Sequence, residues 1–241
     1  MIRDSKGGLF GAVVEWYVAR KVRSAFRGVW VRGALPSSEG GLLAYLNHSS
    51  FWDGFLAHQL GKVAGWDAYA LMREDTLARY PFHTRLGAFS VSRDARSALR
   101  SLRYAKEVLA RPKAAVVIFP EGELRAGQGP LQPLMRGVEL IAKTAKVRCV
   151  PIAVRYAFLE HELPDVLVDV GAVHAPAPLE HFTSCLSALY AGLLEVRSTD
   201  GFTQVIAGRR GAQARWDGVR AATGADKPGQ LPAGPTPDAR G

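Results

Sequence analysis

The sequence predicts an α/β fold: a single domain with a mixed, mostly parallel sheet flanked by helices, preceded by an N-terminal amphipathic helix. Three observations point there. Short apolar runs such as Gly41–Leu46 and Ala114–Phe119 recur along the chain, each the length of a buried strand. Between them, apolar residues return at helical spacing, as on helices packed against a sheet. Strands alternating with helices imply crossover connections, and hence parallel pairing. At 241 residues the chain is long enough to bury a sizeable core.

Residues 5–30 read as one amphipathic helix. Leu9, Val13, Trp16, Tyr17 and Arg20 follow helical spacing, and Val22, Phe26, Val29 and Trp30 continue it. Arg20, Lys21, Arg23 and Arg27 crowd its second half. Two readings stand: a helix lying in the headgroup plane of a membrane, or a helix packed on the core with a solvated basic edge. Residues 41–46 predict the first buried strand, followed by a polar turn over 47–53 and a short helix over 54–61. Strands are expected over 67–72 and 87–91. Residues 94–110 predict a helix, with Ala95, Ala98, Leu102, Ala105 and Leu109 on one face and Arg96, Arg100 and Arg103 on another. Residues 114–119 form the strongest strand signal. A helix is expected over 133–146, with Pro133 in its first turn. Strands follow over 148–154 and 167–170, then a helix over 179–197. Residues 223–241 are rich in Gly and Pro without periodicity and read as a disordered tail. The expected organisation is therefore an N-terminal helix over 1–32, the α/β domain over 33–222 and the tail.

Composition narrows the function classes. Apolar residues make up 48% of the chain, which excludes a wholly disordered protein. Cys149 and Cys185 each sit in an apolar run, as free thiols do, and two cysteines do not make a Cys-based zinc site. The formal net charge is +9. Residues 1–32 hold seven basic and two acidic side chains, and residues 85–113 hold eight and two, so these two blocks account for the excess. Such a chain favours anionic partners. Nucleic acid is not expected, because there is no recognised module and the basic residues lack aromatic interleaving. The longest apolar candidate, residues 7–18, is interrupted by Glu15 and falls short of the roughly 20 residues that span a bilayer. It does not read as a signal peptide, and the expected location is cytoplasmic.

Two constellations carry chemistry. The first is Asn47-His48-Ser49-Ser50-Phe51-Trp52-Asp53, directly after a strand. Five residues on a regular helix turn about 500°, so His48 and Asp53 would diverge there by roughly 140°. At a strand-to-helix turn they can pair. A carboxylate bound to one imidazole nitrogen leaves the other as a base. Asp53 as a simple helix cap is the alternative. The second is Phe119-Pro120-Glu121-Gly122-Glu123-Leu124-Arg125, also directly after a strand. It presents Glu121 and Arg125 at the carboxyl end of the sheet, where open α/β sheets bind ligands, and an arginine there suits a phosphate. A surface turn with a Glu–Arg pair is the alternative.

Taken together, HxxxxD at 48–53 and FPEG at 119–122 resemble the glycerolipid acyltransferase family, which includes lysophosphatidate and glycerol-3-phosphate acyltransferases. Gly87-Ala88-Phe89-Ser90-Val91-Ser92-Arg93 resembles the family block that ends in a substrate-binding arginine. Val150-Pro151-Ile152-Ala153-Val154 resembles its late strand block, where Pro151 reads as structural. The resemblance spans about residues 41–155. It implies transfer of an acyl group from an acyl-CoA or acyl-carrier-protein thioester to a hydroxyl, with no bound cofactor. His48 would be the general base and Asp53 its orienting partner. Glu121, Gly122 and Arg125 would shape the acceptor site, with Arg93 and Arg125 on its phosphate. The implied partners are a lipid acceptor, an anionic membrane surface on the inner face of the membrane, and an acyl-carrier protein. There is one departure. The family's FPEG block usually places its arginine after one intervening residue, and here both Glu123 and Leu124 intervene. Either the loop bulges to restore Arg125, or Arg136 or Arg93 takes over, or the acceptor is not a phosphomonoester. A hydrolase using the same His–Asp pair, an acyltransferase for a glycolipid or isoprenoid acceptor, and a non-catalytic lipid-binding protein are the rival readings.

Overall fold

A computed structural model describes residues 1–92, 94–125, 127, 129–212 and 216. Arg93 and the segment 223–241 lie outside the described residues. The elements run α1 (Gly8–Ala25), β1 (Gly28–Arg32), β2 (Leu42–Leu46), α2 (Asp53–Val63), β3 (Asp67–Arg73), α3 (Glu74–Arg79), a 3-10 turn (Pro81–Leu86), β4 (Ala88–Val91), α4 (Ala95–Leu109), β5 (Ala114–Ile118), α5 (Gly137–Ala145), β6 (Arg148–Ala157), β7 (Asp165–Val170), α6 (Leu179–Leu194) and β8 (Thr203–Ala207).

The strands form one sheet in the order β4-β3-β5-β2-β6-β7-β1-β8. Pairing is parallel except between β6 and β7 and between β1 and β8. The mixed, mostly parallel sheet expected from the sequence is therefore present. β2 and β5, near its middle, are buried at every position, as strands covered on both faces must be. Side chains alternate across the sheet. Leu42, Ala44, Leu46, Ala115 and Val117 face a layer holding α1 and α2. Leu43, Tyr45, Val116 and Ile118 face a layer holding α4, α5 and α6.

Three expectations need correction. The helix expected over 5–30 ends at Ala25, and Gly28–Arg32 is a strand instead. Its backbone groups are taken by β7 and β8, so tertiary pairing overrides the helical spacing of Val29 and Trp30. Arg27, expected in the solvated basic cluster, pairs through two nitrogens with the fully buried Asp165, at 2.8–3.0 Å. The helix expected from Pro133 begins at Gly137, because the Met135 amide is drawn away to the Pro120 carbonyl at 2.7 Å. The edge strand β8 was not expected at all; it is mostly exposed and lacks an apolar run to mark it. By contrast, α4 matches its expected span within a residue at each end. Asp94 caps it, its carboxylate accepting from the Ser97 amide at 2.8 Å.

The face of α1 that packs inward is not the one the aromatic residues occupy. Gly11, Val14, Val18 and Val22 are buried, whereas Leu9 is 86% and Trp16 63% exposed, and Phe10, Val13 and Tyr17 are exposed beside them. The helix therefore carries a second apolar stripe that nothing in the chain covers among the described residues. No helix of the described residues is long and apolar enough to cross a membrane.

His58 is buried and His83 partly buried on the α2 side of the sheet, and desolvation lowers both to a pKa of about 4. A folded-state pKa below the unfolded value means that the unfolded chain binds the extra protons. Stability is then lost as pH falls from about 6.5 towards 4. Urea unfolding at pH 5 should show a lower midpoint than at pH 7.5. Each site is expected to contribute on the order of 1–2 kcal/mol, and His83→Phe should flatten part of the slope.

Candidate active site

β2 delivers the first loop. Asn47 ends the strand, and its carboxamide replaces the next rung of the ladder. Nδ2 donates to the Val154 carbonyl at 2.9 Å, and Oδ1 accepts from the Val154 amide at 2.7 Å. This holds the chain against β6 where strand geometry gives way to a turn, so the position of His48 is set relative to the sheet.

Asp53 opens α2, yet it does not cap the helix. Its carboxylate points back into the turn. Oδ2 accepts from His48 Nδ1 at 2.8 Å, from the Ser49 amide at 2.8 Å and from the Ser50 amide at 2.9 Å. Oδ1 accepts from the Tyr156 hydroxyl at 2.6 Å. Asp53 is 1% exposed, so these four donors replace the water that a buried carboxylate has lost. Tyr156 is partly buried, and desolvation followed by the Asp53 charge pushes its pKa well above the usual value, keeping its proton on the phenol oxygen. With Nδ1 held by Asp53, His48 leaves Nε2 as the nitrogen with an available lone pair. The imidazole stacks on Phe119, ring centroids 4.5 Å apart.

β5, the parallel neighbour of β2, delivers the second loop. Glu121 joins the two. Its Oε1 accepts from the His48 amide at 2.8 Å, and its Oε2 from the Gln132 amide at 3.0 Å. The Arg125 amide in turn donates to the His48 carbonyl at 3.0 Å. Gly122 has φ +76°, and a Cβ there would meet Met135 Sδ at 2.3 Å, so the turn requires glycine. His48, Ser49, Glu121, Arg125, Gln132 and Tyr190 line a cavity of about 220 Å³ at this sheet edge.

The structure thus brings together four of the residues singled out in the sequence: His48, Asp53, Glu121 and Arg125. Gly122 supports the turn without lining the cavity. Arg93 falls outside the described residues. Despite the extra residue before it, Arg125 reaches the cavity lining. Arg136 turns instead to Glu139, at 3.7 Å, and Glu123 lies 3.9 Å from Arg73 outside that lining. Three contributors were not singled out. Tyr156 and Tyr190 come from elements over 100 residues beyond His48 in the chain, and no local pattern marks them. Asn47 did carry a signal: a polar residue closing an otherwise apolar strand.

An acyltransferase family model matches residues 28–155, which is more than half of the chain and includes both loops. The chain belongs to the acyltransferase family. Among solved structures, this acyltransferase is similar to the 1-acyl-sn-glycerophosphate acyltransferase PlsC from Thermotoga maritima. The TM-score is 0.57 at 20% identity, over 78% of this chain and 81% of that one. That likeness is one of fold. No curated protein matches the chain.

If Asn47 is what sets the loop of this acyltransferase against β6, Asn47→Ala should leave the buried Val154 amide and carbonyl without partners. The expected loss is about 1–3 kcal/mol, read as a lower denaturant midpoint, with activity reduced beyond what the stability loss explains.

Proposed function

We propose that this acyltransferase moves a fatty acyl group from an acyl-CoA or acyl-carrier-protein thioester to the free hydroxyl of a lysophospholipid-type acceptor, of the 1-acylglycerol-3-phosphate kind. The observation that carries the reading is the His48 Nδ1–Asp53 Oδ2 contact of 2.8 Å at the rim of a cavity that also holds Arg125. In the proposed reaction Nε2 of His48 accepts the acceptor's hydroxyl proton as its oxygen attacks the thioester carbonyl. The imidazolium is stabilised by Asp53, whose charge is spread over its four donors. The tetrahedral intermediate collapses, the C–S bond breaks, and the proton on His48 passes to the departing sulfur. An ester and a free thiol result, and His48 is neutral again. The nucleophile is the substrate's hydroxyl, so a two-residue relay replaces the three of a serine hydrolase.

Arg125 supports a phosphate-bearing acceptor, since a guanidinium binds phosphate oxygens through paired N–H groups. The glycerophosphate substrate named for the Thermotoga maritima protein of the same fold supports the same class. Both Glu121 oxygens are already taken by backbone amides, so its part in the acceptor site is to hold the two loops together.

The outer stripe of α1 supports a peripheral position on the inner face of a membrane. Leu9, Phe10, Val13, Trp16 and Tyr17 form the apolar part, and Arg20 and Lys21 lie against the Trp16 and Tyr17 rings. Aromatic residues beside cations suit the headgroup boundary, where apolar and charged groups are both satisfied. A combined Leu9→Ser, Phe10→Ser and Trp16→Ser variant should lower cosedimentation with phosphatidylglycerol vesicles at least tenfold without lowering the unfolding midpoint.

The reaction is tested by thiol release from palmitoyl-CoA and from the palmitoyl carrier protein, with and without lysophosphatidate, glycerol-3-phosphate, neutral lysolipids and glycolipids. Release that requires lysophosphatidate, and that falls about a thousandfold in His48→Ala, is the expected result. Release without any acceptor would make the protein a hydrolase. Release with a neutral acceptor alone would remove phosphate from the role given to Arg125.

A further inference from the structure

The proposed reaction leaves the exposed face of α4 unused. Ser97, Ser101, Tyr104, Ala105 and Val108 are buried against the sheet. On the opposite side Arg96, Arg100, Arg103 and Lys106 fall within about 120° of one another on the helix, and all four are exposed. Leu99 stands among them, 56% exposed, and Glu107 is the one acid on this face. The stripe is not simply convex. Arg100, Arg103 and Arg3 line a cleft of about 330 Å³ between the N-terminal segment and α4, together with Met1 and Glu107. Arg3 lies over the Tyr104 ring at 4.8 Å.

Its position separates this stripe from the membrane. α1 and α4 cover opposite faces of the sheet, and the exposed stripe of each points away from the sheet. With α1 on a leaflet, α4 faces water. Two helices of about 10–12 Å diameter, and the sheet between them, separate it from the headgroups. That exceeds twice the Debye length of about 10 Å at 0.1 M salt. The stripe runs about 15 Å from Arg96 to Lys106, longer than one phosphate group needs, and it is built like a protein interface, with cations around an exposed leucine. α4 also begins just after the carboxyl end of β4, at the sheet edge that holds the His48 cavity. β4 lies three strands from β2, or roughly 14 Å at the usual strand spacing. A partner seated on α4 would reach the cavity only through an extended, flexible arm.

We propose that the exposed face of α4 is the docking surface for an acidic, soluble carrier protein that presents the acyl thioester on a flexible arm to the His48 cavity. This rests on the acyl-transfer reading above. It names the donor and where the donor binds.

The experiment uses the full chain with lysophosphatidate and two donors, palmitoyl carrier protein and palmitoyl-CoA. The variant Arg96→Glu/Arg103→Glu/Lys106→Glu is compared with its milder Gln counterpart, both checked for an unchanged unfolding midpoint. The expected result is a KM for the carrier-bound donor raised at least tenfold by Glu and severalfold by Gln. The rate with palmitoyl-CoA should stay within twofold, and binding to phosphatidylglycerol vesicles should not change. An unchanged KM for the carrier-bound donor would overturn the proposal. So would equal losses with both donors, lost vesicle binding, or a wild-type chain that uses palmitoyl-CoA alone. Should the wild type transfer from neither donor, the acyl-transfer reading fails. Fluorescence anisotropy with labelled holo-carrier protein then decides docking by itself: binding that the Glu variant abolishes supports the surface, and no binding by the wild type overturns it.

Discussion

A carboxylate buried to 1% exposure needs donors for its oxygens, and the candidate active site is arranged around that need. Asp53 takes its four from His48, from the Ser49 and Ser50 amides, and from Tyr156. The requirement fixes the turn between β2 and α2, because two backbone amides and a side chain five residues away must converge on one oxygen. It also fixes β6, which has to place a phenol on the other oxygen. The Tyr156 ring then packs 5.5 Å from Phe26, and Phe26 lies 5.2 Å from Trp52. The end of α1 is thereby built into the support of the same pair.

The second loop depends on the first. β2 and β5 are parallel neighbours, so both release their chains at the same edge of the sheet. Two loops leaving adjacent strands side by side would each expose backbone amides to the cavity. Glu121 takes one amide from each side of it, and the Arg125 amide returns a bond to the His48 carbonyl. Through this lacing, the extra residue before Arg125 costs no contact with the cavity.

The charge excess divides by layer. Basic residues of α1 lie beside an uncovered apolar stripe, while those of α4 lie on the far side of the sheet around a single exposed leucine. A net charge of +9 summed over the chain cannot distinguish these two environments. The alternation of side chains across the sheet does, because it sends the two helices to opposite faces. In the proposed reaction this separates the lipid acceptor from the donor's carrier.

The sequence by itself determined the central strands β2 to β7 and the helices α2, α4 and α6 between and after them, the mixed and mostly parallel sheet, and the two loops of the candidate site. All of these depend on local periodicity or on residues close together in the chain. Apolar runs mark buried strands, and a histidine five residues before an aspartate is a short-range pattern at a turn. Only the tertiary structure decided the rest. Gly28–Arg32 became a strand because β7 and β8 offered partners, against a helical spacing that continued through it. Asp53 turned away from capping α2 because Tyr156, more than 100 residues further on, completed its hydrogen bonds. Which stripe of α1 faces inward was settled by the valines that fit the core, not by the aromatics that made the helix conspicuous. In each case the deciding partner is remote in sequence, and an interaction between distant residues leaves no periodicity near either one.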